Sequence, residues 1–226
     1  MSAFAIWLDT FFSAFDGAIL NFWHSVATTD FGKFFFTAFM KFISFTGEEG
    51  AMFITIGIVL LLFKKTRKAG VGVLLAVAFG GLITNLTLKH TIARVRPFKA
   101  SEIYRGFWEF VGATQVGETS FPSGHTTTAM AGTLALCLTR GKKYIPVCLV
   151  YVTLIGISRN YLMVHYPTDI IGGVIAGALA AVLGFFVMKG IFSLLEKNAN
   201  NKVCGFIVNS DILNLFKKKR GLNYEA

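Results

Sequence analysis

Charge is scarce in this 226-residue chain. Asp, Glu, Lys and Arg make up 15% of it, against about a quarter in ordinary soluble domains. With 54% hydrophobic residues and a mean hydropathy of +0.61, that scarcity excludes a soluble globular domain. Cysteine is nearly as rare: Cys137, Cys148 and Cys204 are dispersed, none has metal-ligand spacing, and they read as reduced and structural. No residue set resembles a Mg²⁺ or Zn²⁺ cage, so neither a metal nor another cofactor is expected. Internal repeats and low-complexity linkers are absent, so one domain over residues 1–226 suffices. The first residues lack a basic n-region and a clear small-residue cleavage site, and no cleavable signal peptide is expected.

What the chain has instead is apolar blocks. Residues 69–88 run for 20 positions without a charge, enough to cross a hydrocarbon core of about 30 Å. Comparable or slightly shorter blocks cover 122–139, 144–157 and 170–188, with a shorter one at 51–63. Only helices and closed barrels span lipid, and uninterrupted apolar runs indicate helices rather than alternating barrel strands. Spanning helices are predicted at 48–64, 69–92, 122–140, 143–162 and 167–190. A sixth, at 31–46, is interrupted by Lys33 and Lys41, and reads as a short span or as a helix lying in the interface. The N-terminal stretch WLDTFFSAFDGAILNFW, interrupted by Asp9 and Asp16, reads as an interfacial helix. The fold class is therefore an all-α integral membrane protein, a bundle of five or six transmembrane helices with an N-terminal interfacial helix.

The formal charge of +10 does not point to nucleic acid, because the basic residues gather between apolar blocks. KKTRK at 64–68, RGKK at 140–143 and the segment from Lys189 onward hold fourteen Lys and Arg, whereas the opposite side receives six. The positive-inside bias makes the first set cytoplasmic and predicts a multi-pass plasma-membrane protein. The six on the other side, Lys89, Arg94, Arg96, Lys99, Arg105 and Arg159, share it with the remaining polar residues of note.

Three segments meet on that outer side: KHTIARVRP (89–97), PSGH (122–125) and SRNYLMVHYPTD (158–169). PSGH alone reads as a helix cap, but charged groups converging near hydrocarbon are costly and mark function. Lys89, Arg96 and Arg159 supply fixed positive charge for a phosphate. Ser123 and Gly124 offer a hydroxyl and backbone N–H groups at a helix N-terminus, where the dipole favours an anion. His165 and Asp169 are four apart on one helical face, so Asp169 can hold one ring nitrogen and leave the other as a nucleophile at phosphorus. His125 is then placed to protonate the leaving oxygen. Together these are the parts of a phosphoryl-transfer site, with His165, His125 and Asp169 catalytic.

The ordered triple K-x6-RP, PSGH and SR-x5-H-x3-D resembles the signature of the type-2 phosphatidic acid phosphatase superfamily, over roughly residues 45–190. The resemblance implies a membrane-embedded, metal-independent phosphatase with a phosphohistidine intermediate on His165, His125 as general acid and Asp169 orienting His165. Lys89, Arg96, Ser123, Gly124 and Arg159 would bind the phosphoryl group. Residues 1–46 are then interfacial or short helices, 47–190 the catalytic core and 191–226 a basic cytoplasmic tail. The family-level expectation for substrate is a lipid phosphate presented at the outer leaflet, undecaprenyl pyrophosphate first. Phosphatidylglycerophosphate and phosphatidic acid are the alternatives, as is phosphotransfer from the same site.

The 98–121 segment combines Phe107, Trp108 and Phe110 with Lys99 and Arg105, and reads as an interfacial anchor or a lipid-facing gate. Gly173 and Gly177 form a small-xxx-small pair, read as packing within one subunit rather than dimerisation. KKKR at 217–220 is expected at the anionic cytoplasmic leaflet.

Overall fold

Small residues fill the interior of the bundle and large apolar ones cover its outside. Ala76, Ala131, Ala135 and Ala180 are fully buried, while Phe34, Leu86, Val147 and Leu194 are each more than half exposed. A soluble protein would reverse this; in lipid, where tails are as apolar as leucine, small residues bring backbones together and large ones face the solvent. The computed structural model describes residues 1–212 apart from Gln115 and Glu118, so the KKKR tail lies outside the described residues.

The chain opens with α1 (Ala3–Phe11) and α2 (Ser13–Ala27), which meet at 65°. A π segment (Gly32–Phe36) leads into α3 (Thr37–Thr46), followed after a break by α4 (Ala51–Leu61). Helix α5 (Arg67–Gly81) continues through a second π segment (Leu82–Leu88) into α6 (Lys89–Ile92). Short helices α7 (Pro97–Ala100) and α8 (Glu102–Phe110) precede α9 (Gly124–Arg140), α10 (Ile145–Tyr161), the long α11 (Pro167–Lys197) and α12 (Lys202–Asn209). Among the described residues there is no β-strand, only a bridge between Val95 and Thr119.

Gly32–Leu61, Arg67–Ile92 and Pro167–Lys197 are each long and apolar enough to cross a bilayer, and the bent α1–α2 pair qualifies if taken as one. Helices α9 and α10, 17 residues each, reach about 25 Å and run between the same two ends. One sequence expectation changes here. Residues 31–46 and 48–64 are two halves of one broken element, not a short extra segment followed by a separate span. The Thr37 and Thr46 hydroxyls meet those of Tyr161 and Tyr151, so α3 descends along α10. Glu49 (φ 47°) and Gly50 (φ 73°) then take left-handed conformations that kink the chain without reversing it. Helix α4 continues in the same sense, meeting Tyr151 through Phe53 and then α5 near Leu74. Two acidic residues between two glycines look like a helix terminus in the sequence, and here they mark a break within one long helical element.

Helices α5, α9 and α11 form the centre. At Gly177 a Cβ would lie 2.4 Å from the Thr127 carbonyl oxygen, and at Gly173 2.8 Å from that of Ser123. The small-xxx-small pair thus seats α11 on α9 within the subunit, as expected. At one end of the bundle sit the basic loops: Arg67 donates to the carbonyls of Leu61, Ile207 and Ser210, Arg140 to that of Lys65, and Lys68 pairs with Glu196 at 2.7 Å. At the other end α1, α2, α7 and α8 close over the tops of α6, α10 and α11. The aromatic residues of 98–121 take part in this closure. Trp108 stacks on buried Phe98 with centroids 4.8 Å apart, and Phe107 stacks on His24 of α2 at 3.4 Å. Those two rings are half-buried by these contacts, while Phe110 remains exposed.

Candidate active site

Backbone hydrogen bonds knit the three sequence segments together. The Ser120 N–H donates to the Arg94 carbonyl at 2.8 Å, beside the Val95–Thr119 bridge, and the Ser123 N–H donates to the Asp169 carbonyl at 3.0 Å. Helix α6 ends at Ala93 in a left-handed conformation (φ 50°), after which the chain turns extended. Arg94 and Arg96 are two apart on that extended stretch, so both side chains leave on one side and flank His165 and Asp169. Lys89 arrives from the other direction, just after the π segment Leu82–Leu88, with Nζ 3.5 Å from where a Cβ on Gly124 would lie.

Lys89, Arg96, Gly124, His125, Arg159 and His165 line one cavity of about 680 Å³. Six of the eight residues singled out in the sequence thus face a common space. The other two stand behind it. Ser123 is fully buried and its hydroxyl serves as the α9 cap, accepting from the Thr126 hydroxyl at 3.0 Å and the Thr126 N–H at 3.4 Å. Its contribution is to fix the helix N-terminus that aims at the cavity. Asp169, also fully buried, backs His165.

The hydrogen bonds fix the tautomer of His165. Arg96 donates from Nη1 to the Val164 carbonyl (2.7 Å) and to His165 Nε2 (3.1 Å). A guanidinium has no acceptor, so Nε2 carries the lone pair. The proton then sits on Nδ1, 3.3 Å from Asp169 Oδ2. Burial, and then the charges of Arg96, Arg159 and Lys89, hold the His165 pKa well below the ordinary histidine value, leaving the ring neutral at neutral pH. A neutral imidazole with its lone pair at Nε2, where Arg96 donates, and facing three cations, is suited to attack an electrophile carried by an anion once that electrophile displaces the Arg96 contact.

Arg159 is 5% exposed and donates to the Ser44 hydroxyl of α3, while its Nε–H has no partner among the described residues. An orphaned buried donor beside a cationic cavity is poised for an anionic ligand. Among the described residues no cluster of His, Cys, Asp or Glu is arranged to hold a metal ion.

Behind His165 lies a second layer of charge. Arg94, 1% exposed, donates from Nε to Asp9 Oδ1 (2.7 Å), from Nη2 to Asp16 Oδ2 (2.9 Å), and from Nη1 to Asp169 Oδ1 and Thr168 Oγ1 (both 2.7 Å). Its guanidinium also lies 3.9 Å from the centre of the Tyr166 ring. Burial works against that charge, yet the carboxylates of Asp169, Asp16 and Asp9 hold the Arg94 pKa above the ordinary arginine value. Asp169 Oδ2 further accepts the Tyr166 N–H at 2.9 Å, forming the capping box of α11.

Comparison with known proteins places the fold in a family. Residues 69–192, more than half of the chain, match the PAP2 superfamily. The chain belongs to that superfamily. It is 30% identical over 149 residues to an undecaprenyl-diphosphatase of Sulfolobus acidocaldarius, covering 64% of this chain and 66% of that one. It is 31% identical over 157 residues to phosphatidylglycerophosphatase B of Bacillus subtilis, covering 65% and 68%. The chain thus aligns with about two-thirds of each relative's length. The crystal structure of a transmembrane PAP2-type phosphatidylglycerolphosphate phosphatase from Bacillus subtilis superposes with a TM-score of 0.61 at 26% identity, over 83% of this chain and 89% of that one. Aquifex aeolicus LpxE shares the fold at a TM-score of 0.56 and 20% identity.

Sequence reasoning missed Asp9, Asp16, Ser44, Arg94 and Thr168 as neighbours of the PAP2 site. Asp9, Asp16 and Ser44 lie before residue 69, outside the PAP2 match. A signal was present for the first two, since carboxylates interrupting an apolar aromatic stretch are costly unless paired. For Ser44 nothing in the sequence stood out.

Proposed function

We propose that this chain is a lipid phosphate phosphatase, working through a phosphohistidine on His165. The observation that carries the reading is the His165 environment: a ring with its lone pair at Nε2, its Nδ1–H held by Asp169, and Lys89, Arg96 and Arg159 around one cavity. The phosphoryl oxygens bind the three cations and the N-terminus of α9, which stabilise the charge spread over them in the transition state. The bound phosphoryl anion offsets the three cations, so His125 enters the step protonated; Nε2 attacks phosphorus, the P–O bond to the leaving group breaks, and His125 gives its proton to the departing oxygen. Water then attacks the phosphohistidine, His125 takes its proton, and phosphate leaves with His165 neutral again. No step draws on a metal ion.

The substrate reading is undecaprenyl pyrophosphate, hydrolysed to undecaprenyl phosphate at the extracytoplasmic face. It is supported by the likeness to the undecaprenyl-diphosphatase and by the basic loops at the end of the bundle away from the cavity. Phosphatidylglycerophosphate is the second reading, favoured by the phosphatidylglycerophosphatase B relative and the solved structure. The test is phosphate release in detergent, in EDTA, from polyprenyl diphosphate, phosphatidylglycerophosphate and phosphatidic acid, with and without an added alcohol acceptor. The highest kcat/KM is expected on polyprenyl diphosphate, with phosphate released to water. Loss of activity in EDTA would contradict the mechanism, and a preference for phosphatidylglycerophosphate the substrate.

The reading also has a pH consequence. His165 faces Lys89 from α6, Arg96 from the extended stretch, His125 from α9, Arg159 from α10, Asp169 from α11 and Ser120 before PSGH. It must be neutral to attack, so its depressed pKa keeps the free enzyme competent into acidic solution. Lys89→Met removes one repelling charge and raises that pKa, so the acid limb of kcat/KM should move to higher pH by about 1 unit. Profiles measured on one substrate, each scaled to its own maximum, cancel the substrate's titration; an unmoved limb would contradict the electrostatic account.

A further inference from the structure

We propose that Asp16, assisted by Asp9, is a positioning residue of the catalytic centre, acting through Arg94 and Thr168 on Asp169 and thereby on His165. The inference rests on the reading of His165 as nucleophile, and it makes the N-terminal helices part of the catalytic apparatus rather than a membrane anchor.

Asp16 is 2% exposed although it lies on an apolar helix, and both its oxygens are committed to one place. Oδ1 accepts the Thr168 N–H at 3.0 Å; Oδ2 accepts the Thr168 hydroxyl at 2.7 Å and Arg94 Nη2 at 2.9 Å. Thr168 is the residue before Asp169, so Asp16 holds the first turn of α11 directly. It also fixes the guanidinium that grips Asp169 Oδ1, leaving Oδ2 to His165 and the Tyr166 N–H. A carboxylate with one oxygen held on each side cannot rotate, and the Nδ1–H of His165 is directed accordingly. Partners of this kind, one step removed from the reacting group, set its orientation and tautomer. The charge pattern agrees: three carboxylates around Arg94 stand behind His165, and three cations stand in front of it. A imidazole whose Nδ1 proton is drawn backward presents a more basic Nε2 to a phosphate held forward.

Asp16→Asn keeps the size but replaces one acceptor oxygen with a donor NH₂, which meets either Arg94 or Thr168 donor to donor. The readout is single-turnover phosphate release from polyprenyl diphosphate with purified enzyme in saturating excess. That rate constant reports each working site, whereas a purely structural defect reduces the number of working sites and leaves the rate constant alone. Asp16→Asn is expected to lower the rate constant by about 10–100-fold with the half-saturating concentration unchanged. Arg94→Lys, which keeps the charge but loses the planar fork, should fall in the same range. Should Asp16→Asn fail to fold, Asp9→Asn decides, since Asp9 is 34% exposed and its loss leaves the core intact; a decrease of a few-fold in the rate constant is expected. Rate constants within twofold of the parent, or a loss seen only as missing active sites, overturn the proposal. A His165→Ala arm keeps the two claims apart: full activity there refutes the nucleophile, whatever the Asp16 variant does.

Discussion

His165→Ala should lower turnover by at least about 10⁴-fold on every lipid phosphate tested. Loss of a nucleophile in a group that acts as a unit costs up to about 10⁶, and the residual rate comes from binding and charge stabilisation. The cations Lys89, Arg96 and Arg159 survive the substitution, so substrate should still bind, and KM should change far less than kcat. Relieved of the ring that shares its Nη1, Arg96 keeps its bond to the Val164 carbonyl, which holds the guanidinium at the cavity wall. A variant that bound substrate as tightly as the parent yet released no phosphate would separate cradle from nucleophile. Steady-state assays on protein of parental melting temperature make the measurement; residual activity above about 1% of the parent would assign the attack to another group.

His125→Ala should cost about 10²–10⁴-fold, and the size should depend on the leaving group. From a phosphomonoester such as phosphatidic acid the departing oxygen is an alkoxide, strongly basic and in need of a proton. From a diphosphate it is a phosphate oxygen, weakly basic and able to leave unaided. The loss on phosphatidic acid should therefore approach the upper figure and the loss on polyprenyl diphosphate the lower one. Geometry supports the assignment, since His125 opens α9 at the same cavity as His165, with the backbone of Gly47 against its ring: a Cβ there would come 3.3 Å from His125 Cδ2. An equal loss on both substrates would mean that His125 binds the phosphoryl group rather than protonating the leaving oxygen.

The site was legible in the sequence wherever chemistry and spacing are local. Lys89 to Pro97, Pro122 to His125, and Ser158 to Asp169 each lie within twelve residues, and charge counting put all three at one end of the bundle. The pairing of His165 with Asp169 was foretold but not its geometry: His165 lies in the turn before α11, so the two meet across the cap of that helix and not on one helical face. The partners of Asp169 across the fold were not legible, because Arg94 meets Asp16 across 78 positions and Asp16 meets Thr168 across 152. Only the cost of burying Asp9 and Asp16 unpaired hinted that such partners had to exist. Ser123 was read as a phosphate ligand, and a hydroxyl beside a glycine at a helix start serves two purposes: its oxygen accepts from Thr126 as the α9 cap, which leaves its own O–H proton uncommitted. The break at 47–50 misled for a related reason. Gly47-Glu48-Glu49-Gly50 has the composition of a surface turn, and its two glutamates are indeed exposed; what makes it a break within one element is the packing of α3 on α10 and α4 on α5, which buries the two glycines.

The central claim is a covalent phosphoryl group on Nε2 of His165, and trapping that adduct tests it most directly. Polyprenyl diphosphate labelled in its terminal phosphate should, on rapid alkaline quench, leave label on the protein that is lost in acid, as expected for a P–N bond. Peptide mapping should place it on His165. Label on another residue, or none at any quench time while phosphate is being released, would contradict the account.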